Sequence, residues 1–213
     1  MSIATKRGDK GTTGLLYGGR VRKDSARIEC NGAVDEAQAA LGFARALVAS
    51  EKASGPGGFS TAEVDELLVA VERDLWVLMA EVATPPSKRN RLSEGVSLVS
   101  PAMLARLDGG VEALEAAEVM PSEFVVPGEN PASAALDLAR TVVRRAERRA
   151  VRLESAEGSL VVPYLNRLSD LCWLLARALE GSHVAARTGP RPRRRPRTPE
   201  QQSPTRRQKR NPS

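Results

Sequence analysis

The most regular pattern in the chain is the segment PASAALDLARTVVRRAERRAVRLES, residues 131–155. Its apolar residues recur at alternating steps of three and four positions, the spacing that places side chains on one face of an α-helix. A seam of this kind is typical of a helix that packs inside a bundle. The seam consists of Leu136, Ala139, Val143, Ala146, Ala150 and Leu153.

The same spacing occurs on both sides of this segment. It predicts four further helices near residues 31–49, 60–82, 100–118 and 162–183. No strand pattern of comparable length competes with them, and short connections favour antiparallel neighbours. The sequence therefore predicts an all-α protein, an up-and-down bundle of five helices, with loops near 50–60 and 84–97.

The composition changes near the C-terminus of this chain of 213 residues. Residues 187–213 contain ten Lys or Arg and a single acid, Glu200. Repeated prolines and a lack of aliphatic side chains predict disorder there. We expect a helical-bundle domain at 1–186 and a disordered basic tail at 187–213. The remaining residues hold 22 basic and 25 acidic side chains, and this slightly acidic body argues against nucleic-acid binding.

Two further classes of protein are disfavoured by the composition. No segment approaches the roughly 18 uninterrupted apolar residues of a membrane span, and no apolar run follows the first basic residues. We therefore expect a cytoplasmic protein with no membrane contact. Cys30, Cys172 and His183 lack the spacing of a zinc site, so we expect no protein-bound transition metal.

Polar side chains flank the apolar seam on three of the predicted helices. Each set repeats at helical steps, so its members share a helix face, and together the sets are candidates for lining a cleft. The sets are Asp35, Gln38, Gly42 and Arg45 on the first helix, Arg140, Arg144 and Glu147 on the fourth, and Asn166, Asp170, Trp173 and Arg177 on the fifth. The alternative is a set of solvated faces with i,i+4 ion pairs. Solvent-facing charges usually lie opposite the seam, where we expect Arg145, Arg149 and Arg152.

The segment RGDKGTTG, residues 7–14, combines three glycines with two hydroxyls ahead of the first helix. Glycines let a backbone approach an anion closely, and successive N–H groups and hydroxyls can bind phosphate oxygens. Lys6, Arg7 and Lys10 add positive charge. The segment lacks the GK[ST] ending of a Walker A loop, and no strand precedes it as in a dinucleotide fingerprint. A phosphate site and a mobile polar terminus both fit this pattern.

Four blocks of sequence carry a resemblance to a known family. They are TKRGDKGTTGLLYGGRVRKD at 5–24 with VDE at 34–36, WVLMAEVATP at 76–85, FVVPG at 124–128, and the pair ARTVVRRAER at 139–148 and YLNRLSD at 164–170. In this order and spacing, they resemble propanediol-utilisation-type ATP:cob(I)alamin adenosyltransferases across nearly all of residues 5–183. The resemblance implies a homotrimer with active sites between subunits. It also implies transfer of the 5′-deoxyadenosyl group of ATP to cob(I)alamin, with release of triphosphate and with Mg²⁺ as a cofactor.

The resemblance assigns residues to the nucleotide position by position. It implies that the triphosphate is bound by Thr5, Gly8, Asp9, Gly11, Thr12, Thr13 and Lys23. The rest of ATP is implied to contact Arg144, Glu147 and Asn166. Arg140 is implied to pair with Asp35 of the partner subunit, a task that suits the bidentate guanidinium fork.

The resemblance also places Phe124 and Asp170 against the corrin. It implies that a bulky apolar side chain such as Phe124 excludes the lower axial ligand of cob(II)alamin, which makes reduction to cob(I)alamin feasible. The cobalt is then the nucleophile, so no side-chain nucleophile is needed. Three residues depart from the family pattern: Glu129 replaces a second glycine, Asp137 a common histidine, and Trp173 a common phenylalanine.

Ordinary structural roles are the alternatives for several of these residues. Asp35 is explained as an acid in a first helical turn, Asn166 as a helix cap, and Phe124, Trp76 and Trp173 as packing residues. The alternative function is a non-catalytic helical adaptor that binds polyanionic partners through the basic tail, and a nucleotide-hydrolysing bundle is a third. A cobalamin-dependent mutase and a reductase are candidate partners.

Overall fold

The computed structural model describes residues 4, 6–50, 60–153 and 158–188. Within these ranges five α-helices account for most of the chain, and the prediction of an all-α bundle of five helices is confirmed. The helices are α1 (Ala26–Ser50), α2 (Thr61–Val82), α3 (Pro101–Ala116), α4 (Pro131–Val151) and α5 (Val161–Ala178). A 3₁₀ helix, Pro86–Arg91, lies between α2 and α3. None of the helices in the described ranges has the combination of length and apolarity needed to cross a membrane.

Three helices begin at a side chain that caps the first turn. The side chains of Ser60, Ser100 and Asn130 each accept a hydrogen bond from the backbone N–H three residues on, which satisfies one of the unpaired donors of a helix start. Proline follows the cap in α3 and α4, where its fixed φ suits the first helical position. The Asn130 side chain also donates to the Leu179 carbonyl at 2.7 Å, so the start of α4 is tied to the end of α5.

The helices pack side by side in the spatial order α2, α1, α4, α5, α3. The predicted seam of α4 is buried, apart from a partly buried Leu153. The apolar residues that repeat at the same spacing on α1 and α5 are buried as well: Val34, Ala37, Leu41, Ala44 and Val48, and Leu165, Leu168, Cys172, Leu175 and Leu179. Alanines such as Ala37, Ala44, Ala139 and Ala146 are fully buried on α1 and α4, and their small side chains let these two helices approach closely. The core is therefore shared by all five helices, with α1 and α4 at its centre.

One buried polar cluster joins the outer helices. Asp74 of α2 accepts a hydrogen bond from the Tyr164 hydroxyl of α5 at 3.0 Å and pairs with Arg106 of α3 at 3.2 Å. Burial raises the pKa of Asp74, and the positive charge of Arg106 opposes that shift. The cluster therefore links α2 to both α3 and α5.

Two small antiparallel sheets accompany the bundle, and the sequence did not predict them. β1 (Thr12–Gly14) pairs with β2 (Arg20–Arg22), and β3 (Val125–Val126) pairs with β4 (Val184–Ala185). The expectation that the fifth helix extends to residue 183 is wrong, because α5 ends at Ala178 and the chain turns back to form β4. Strands of two or three residues are too short to show an alternating pattern in the sequence, so they can be recognised only from their pairing in the structure.

Other boundaries differ by a few residues. α1 begins at Ala26, not near residue 31, and Arg27 in its first turn donates to the carbonyls of Val82 and Thr84. The loop predicted near 84–97 contains the 3₁₀ helix. Residues 51–59 of the predicted first loop, and 189–213 of the predicted basic tail, lie outside the described residues, so the disorder of that tail stays a prediction.

Candidate active site

The N-terminal segment folds into a hairpin held by Arg20. The guanidinium Nη2 of Arg20 donates to the Arg7 carbonyl at 2.8 Å and to the carbonyl and hydroxyl oxygens of Thr12, both at 3.0 Å. These bonds fold residues 7–12 back across β2. The sequence analysis did not single out Arg20, because its role depends on the pairing of β1 with β2.

Two glycines shape the backbone around Lys23. A Cβ atom at Gly8 would lie 2.9 Å from Lys23 Nζ, so a larger residue would displace the lysine. Gly11 has φ +75°, a conformation that favours glycine, and its carbonyl accepts a hydrogen bond from the Lys23 backbone N–H at 2.9 Å. Glycine at both positions therefore lets the Lys23 ammonium lie beside the backbone of residues 8–11.

The hairpin encloses a positively charged concavity of about 430 Å³. Four cations and one carboxylate line it, together with two threonines and two glycines: Lys6, Arg7, Arg20, Lys23, Asp9, Thr12, Thr13, Gly8 and Gly14. An excess of three positive charges with hydroxyl donors suits a polyanion such as a triphosphate. Gly11 lies beside this concavity in the hairpin, and Thr5 lies outside the described residues.

The hairpin is anchored to the end of α2. The Leu16 backbone N–H donates to the Ala83 carbonyl at 3.1 Å, and the Arg91 guanidinium lies 4.5 Å from the centre of the Tyr17 ring. Two of the sequence blocks that carry the family resemblance, residues 5–24 and 76–85, are therefore in direct contact in the fold. The positively charged concavity thus has a fixed position relative to α1 and α2.

Asp35 lies below this hairpin in a second concavity of about 590 Å³. It is exposed and sits in the third turn of α1, so its interpretation as an acid of the first turn is wrong. Asn31, Leu16 and Trp76 line the same concavity. Trp76 is 68% exposed and is not a core residue within one chain.

The polar face of α4 meets that of α5 at one hydrogen bond. Asn166 Nδ2 donates to Glu147 Oε1 at 3.1 Å. Asn166 lies in the second turn of α5, which begins at Val161, so the interpretation as a helix cap is wrong. Arg144 is exposed, and Arg140 donates from Nε to Asp137 Oδ1 at 3.3 Å. This face therefore presents one exposed guanidinium beside a fixed carboxylate–amide pair.

Other members of the predicted polar sets have structural partners instead. On α1, Gln38 donates to the Glu72 carbonyl at 3.1 Å and Arg45 pairs with Asp65 at 2.7 Å, so both bind α2. Arg145 and Arg149 do not point away from the bundle as expected, because they form salt bridges with Glu36 and Glu29 of α1. Arg177 is buried. Since α1 lies between α2 and α4, both of its flanks are used for packing.

Phe124 and Trp173 line a third cavity, of about 470 Å³, near the end of α5. Phe124 directly precedes β3, and its carbonyl accepts a hydrogen bond from the Ala186 N–H at 2.7 Å. Its side chain is 83% exposed, so its interpretation as a core residue is wrong. Trp173 is partly buried against the core. Two aromatic side chains with Met120 and Pro121 form an apolar wall suited to a flat apolar surface.

Two of the departures from the family pattern have direct partners. Glu129 accepts a hydrogen bond from the Ser182 hydroxyl at 2.6 Å, which ties the loop after β3 to the turn before β4. Asp137 is buried and pairs with Arg177 at 2.5 Å. Asp170 is exposed on α5 and lies 3.4 Å from Arg167. The site residues thus form four groups in one chain: three lie in concavities, at the hairpin, around Asp35 and in the aromatic cavity, and the fourth lies on the polar face shared by α4 and α5.

Comparisons with known proteins agree with these features. A family model described as cobalamin adenosyltransferase matches residues 3–179. A corrinoid adenosyltransferase of Mycobacterium tuberculosis is 38% identical over 179 residues, covering 82% of this chain and 86% of that protein. One of Bacillus subtilis is 36% identical over 193 residues, covering 89% of each. A solved variant of a PduO-type ATP:corrinoid adenosyltransferase from Lactobacillus reuteri, complexed with cobalamin and ATP, is similar with a TM-score of 0.70 and 27% identity, covering 83% of this chain and 90% of that one.

Proposed function

This chain belongs to the cobalamin adenosyltransferase family, and we propose on that basis that it transfers the 5′-deoxyadenosyl group of ATP to cob(I)alamin. The products are adenosylcobalamin and triphosphate. One observation carries the assignment of subsites: a positively charged concavity lies on the N-terminal hairpin and an aromatic cavity lies at the end of α5. The first suits the triphosphate of ATP, and the second suits the corrin.

In this proposal the hairpin binds the leaving group. Lys6, Arg7, Arg20 and Lys23 oppose the charge of a triphosphate, which carries about four negative charges at neutral pH. The hydroxyls of Thr12 and Thr13 add neutral donors. The Arg20 hydrogen bonds hold the backbone of Arg7 and Thr12 in place before the reaction, which reduces the reorganisation needed to stabilise the departing triphosphate.

The hairpin also fits Mg²⁺ bound largely through the substrate. Within the described ranges, no three His, Cys, Asp or Glu side chains are placed to hold a metal ion by themselves. Mg²⁺ typically keeps several waters and takes one or two protein oxygens beside phosphate oxygens. Asp9, Thr12 and Thr13 line the concavity and would supply such oxygens. Bound there, Mg²⁺ would neutralise part of the charge on the triphosphate.

The remaining nucleotide contacts come from α4 and α5. We assign Arg144 and the hydrogen-bonded pair Glu147 and Asn166 to the rest of ATP, because they form one polar surface beside the buried seam. Their task is to hold the 5′ carbon in line with the cobalt. Cob(I)alamin is itself the nucleophile. Burial raises the pKa of Cys30 to about 11 and that of Cys172 to about 12, so neither thiol supplies a thiolate at neutral pH.

We propose a homotrimer in which neighbouring chains complete each site. The supporting observation is that Asp35 is exposed in a concavity with Trp76, while the nucleotide contacts of α4 and α5 lie elsewhere in the same chain. Among the described residues Arg140 bonds Asp137 through Nε, so in our proposal its two terminal nitrogens meet a second carboxylate. Asp35 of the partner subunit is that carboxylate in our proposal. We also propose a cytoplasmic location, which suits two unpaired buried cysteines.

Asp35→Asn is expected to weaken trimer assembly and adenosyl transfer together. If the pair with Arg140 forms, removing one partner leaves the other charge uncompensated at an interface, at a cost of about 3–5 kcal/mol when buried. Sedimentation velocity and steady-state kinetics on the same samples measure both effects.

Glu36→Gln is the matched control for this variant. Glu36 neighbours Asp35 on α1 but pairs with Arg145 of its own chain, so it is expected to leave assembly and turnover near the wild-type values. Unchanged sedimentation and kinetics in Asp35→Asn would show that the intersubunit pair does not exist.

The function itself is tested with both substrates and Mg²⁺. Wild-type protein mixed with ATP, Mg²⁺ and chemically reduced cobalamin is expected to produce the light-sensitive spectrum of adenosylcobalamin and one triphosphate per turnover. Release of phosphate or diphosphate without adenosylcobalamin would instead favour a nucleotide-hydrolysing bundle. Absence of both products would favour the non-catalytic adaptor. That hypothesis depends on the basic tail, of which 189–213 lie outside the described residues.

A further inference from the structure

One arginine on the wall of the aromatic cavity has no role in the proposed subsites. Arg187 lines this cavity together with Phe124 and Trp173. It is exposed, and no hydrogen bond or ion pair joins its guanidinium to another residue in the described part of the chain. A guanidinium carries only donors and a permanent positive charge. Unused donors at the edge of an apolar wall therefore point to an anionic group on the ligand.

The backbone holds Arg187 beside Phe124. Val125 pairs with Ala185 in the β3–β4 sheet, and the Ala186 N–H donates to the Phe124 carbonyl at 2.7 Å. Arg187 is the next residue along the chain. Because both side chains belong to the same cavity and their backbones are joined by this pairing, an anion bound to Arg187 lies close to Phe124 at the rim of the cavity.

Cobalamin carries an anionic group in the part of the molecule that Phe124 displaces. The corrin bears neutral amide side chains, and a nucleotide loop with one phosphodiester joins it to the base that serves as the lower axial ligand. In our proposal Phe124 excludes this base from the cobalt, so the base and its loop leave on the Phe124 side while they stay attached to the corrin. A cavity of about 470 Å³ suits a drug-sized ligand, and cobalamin is much larger. The loop is therefore expected to pass the rim where Arg187 lies.

We propose that Arg187 binds the phosphodiester of the cobalamin nucleotide loop and thereby favours complete cobalamins over corrinoids that lack the loop. The inference rests on the proposed function and names a further specificity-determining residue of the same site. The guanidinium fork can donate to both free oxygens of a phosphodiester. Glu123 also lines the cavity, and its carboxylate repels the same group, which leaves the loop on the Arg187 side.

The proposal is tested by comparing two corrinoids, because cobinamide has the corrin but not the nucleotide loop. With MgATP present, Arg187→Gln is expected to weaken the binding of cob(II)alamin by about ten-fold, the lower end for a charge-assisted hydrogen bond because the residue is exposed. The binding of cob(II)inamide should change by less than about two-fold. The cost of removing the lower base is the same in both proteins, so it cancels when the variant is compared with the wild type.

Three further readouts separate a contact between charges from a structural effect. Arg187→Lys keeps the positive charge and should retain most of the affinity for cob(II)alamin, although an ammonium lacks the fork that engages two oxygens. Added salt should weaken wild-type binding of cob(II)alamin more than that of cob(II)inamide, and this difference should vanish in Arg187→Gln. In steady-state transfer to supplied cob(I)alamin, Arg187→Gln should raise KM more than it lowers kcat.

Arg152→Gln is the matched control for this variant. Arg152 is an exposed arginine that follows the last residue of α4. The start of α4 is tied to the end of α5 through Asn130, so Arg152 lies at the opposite end of the bundle from the aromatic cavity. The control is expected to bind both corrinoids with wild-type affinity.

Unchanged binding of cob(II)alamin in Arg187→Gln, or equal losses for the two corrinoids, would overturn the proposal. A loss confined to cob(II)alamin that lysine does not restore and salt does not reproduce would overturn it too, because Arg187 would then contact the base and not the phosphodiester. The same loss in Arg152→Gln would assign the effect to the overall charge of the protein. Failure of the proposed function has a different signature, since wild-type protein would then adenosylate neither supplied cob(I)alamin nor supplied cob(I)inamide.

Discussion

Arg144→Ala is expected to reduce adenosyl transfer by about 100-fold or more, the loss typical of removing one charge-stabilising donor from an active site. Its side chain is exposed on α4 beside the buried seam, so truncation opens no cavity in the core. The helix content by circular dichroism and the melting temperature should therefore stay near those of the wild type. The assay is formation of adenosylcobalamin at saturating ATP with cob(I)alamin supplied already reduced.

Glu147→Ala is expected to act in the same direction. Glu147 accepts the hydrogen bond from Asn166, so its loss also frees that amide and disturbs the surface shared by α4 and α5. Glu147→Gln keeps the size and one acceptor oxygen, and it should retain more activity than the alanine variant.

Arg148→Ala is the matched control for Arg144→Ala. Arg148 is an exposed arginine on the same helix, one turn further on, and is bonded only to the Arg144 carbonyl among the described residues. We expect this variant to keep near-wild-type turnover. Equal losses in both arginine variants would assign the effect to the general positive charge of α4. Near-wild-type activity in Arg144→Ala would remove Arg144 from the site.

Phe124→Ala is expected to separate the reduction of cobalt from the transfer of the adenosyl group. The proposed task of the ring is to exclude the lower axial ligand of cob(II)alamin, so the reaction that begins from cob(II)alamin should slow by about 100-fold or more, comparable to the loss of another major catalytic contact. Much of this defect should disappear when cob(I)alamin is supplied, because that oxidation state releases the ligand without help. ATP affinity should be nearly unchanged.

The exposure of Phe124 makes this variant interpretable. A side chain that is 83% exposed contributes little to the core, and the β3–β4 pairing uses the backbone carbonyl of Phe124, which alanine retains. Phe43→Ala, an exposed phenylalanine on α1, is the control and should change neither reaction.

Electron paramagnetic resonance gives a direct readout of the ligand. Wild-type protein with MgATP and cob(II)alamin should show a four-coordinate cobalt signal that is diminished in Phe124→Ala. Only five-coordinate cobalt in the wild type would show that Phe124 does not exclude the ligand.

The five helices and their buried faces could be predicted from the sequence. Each seam repeats over four or more turns, as from Leu136 to Ala150 on α4, and burial of such a seam is the main source of helix stability in a bundle. The segment that we propose to bind the triphosphate also stood out as a candidate, because glycines, hydroxyls and cations lie next to one another in residues 7–14. Local composition and periodicity are properties of the chain itself, and they determined the fold class, whereas the family was indicated by the resemblance of four sequence blocks to known proteins.

The partners of individual polar side chains were decided only by the tertiary structure. Arg177 and Asn166 share one predicted helix face, yet Arg177 is buried against Asp137 while Asn166 is exposed beside Glu147. Phe124 has the sequence surroundings of a core residue, but the pairing of β3 with β4 leaves its ring in solvent. A hydrogen bond or ion pair depends on which distant segment arrives at a side chain. The packing of all five helices determines which segment that is, and a local sequence pattern carries no information about it.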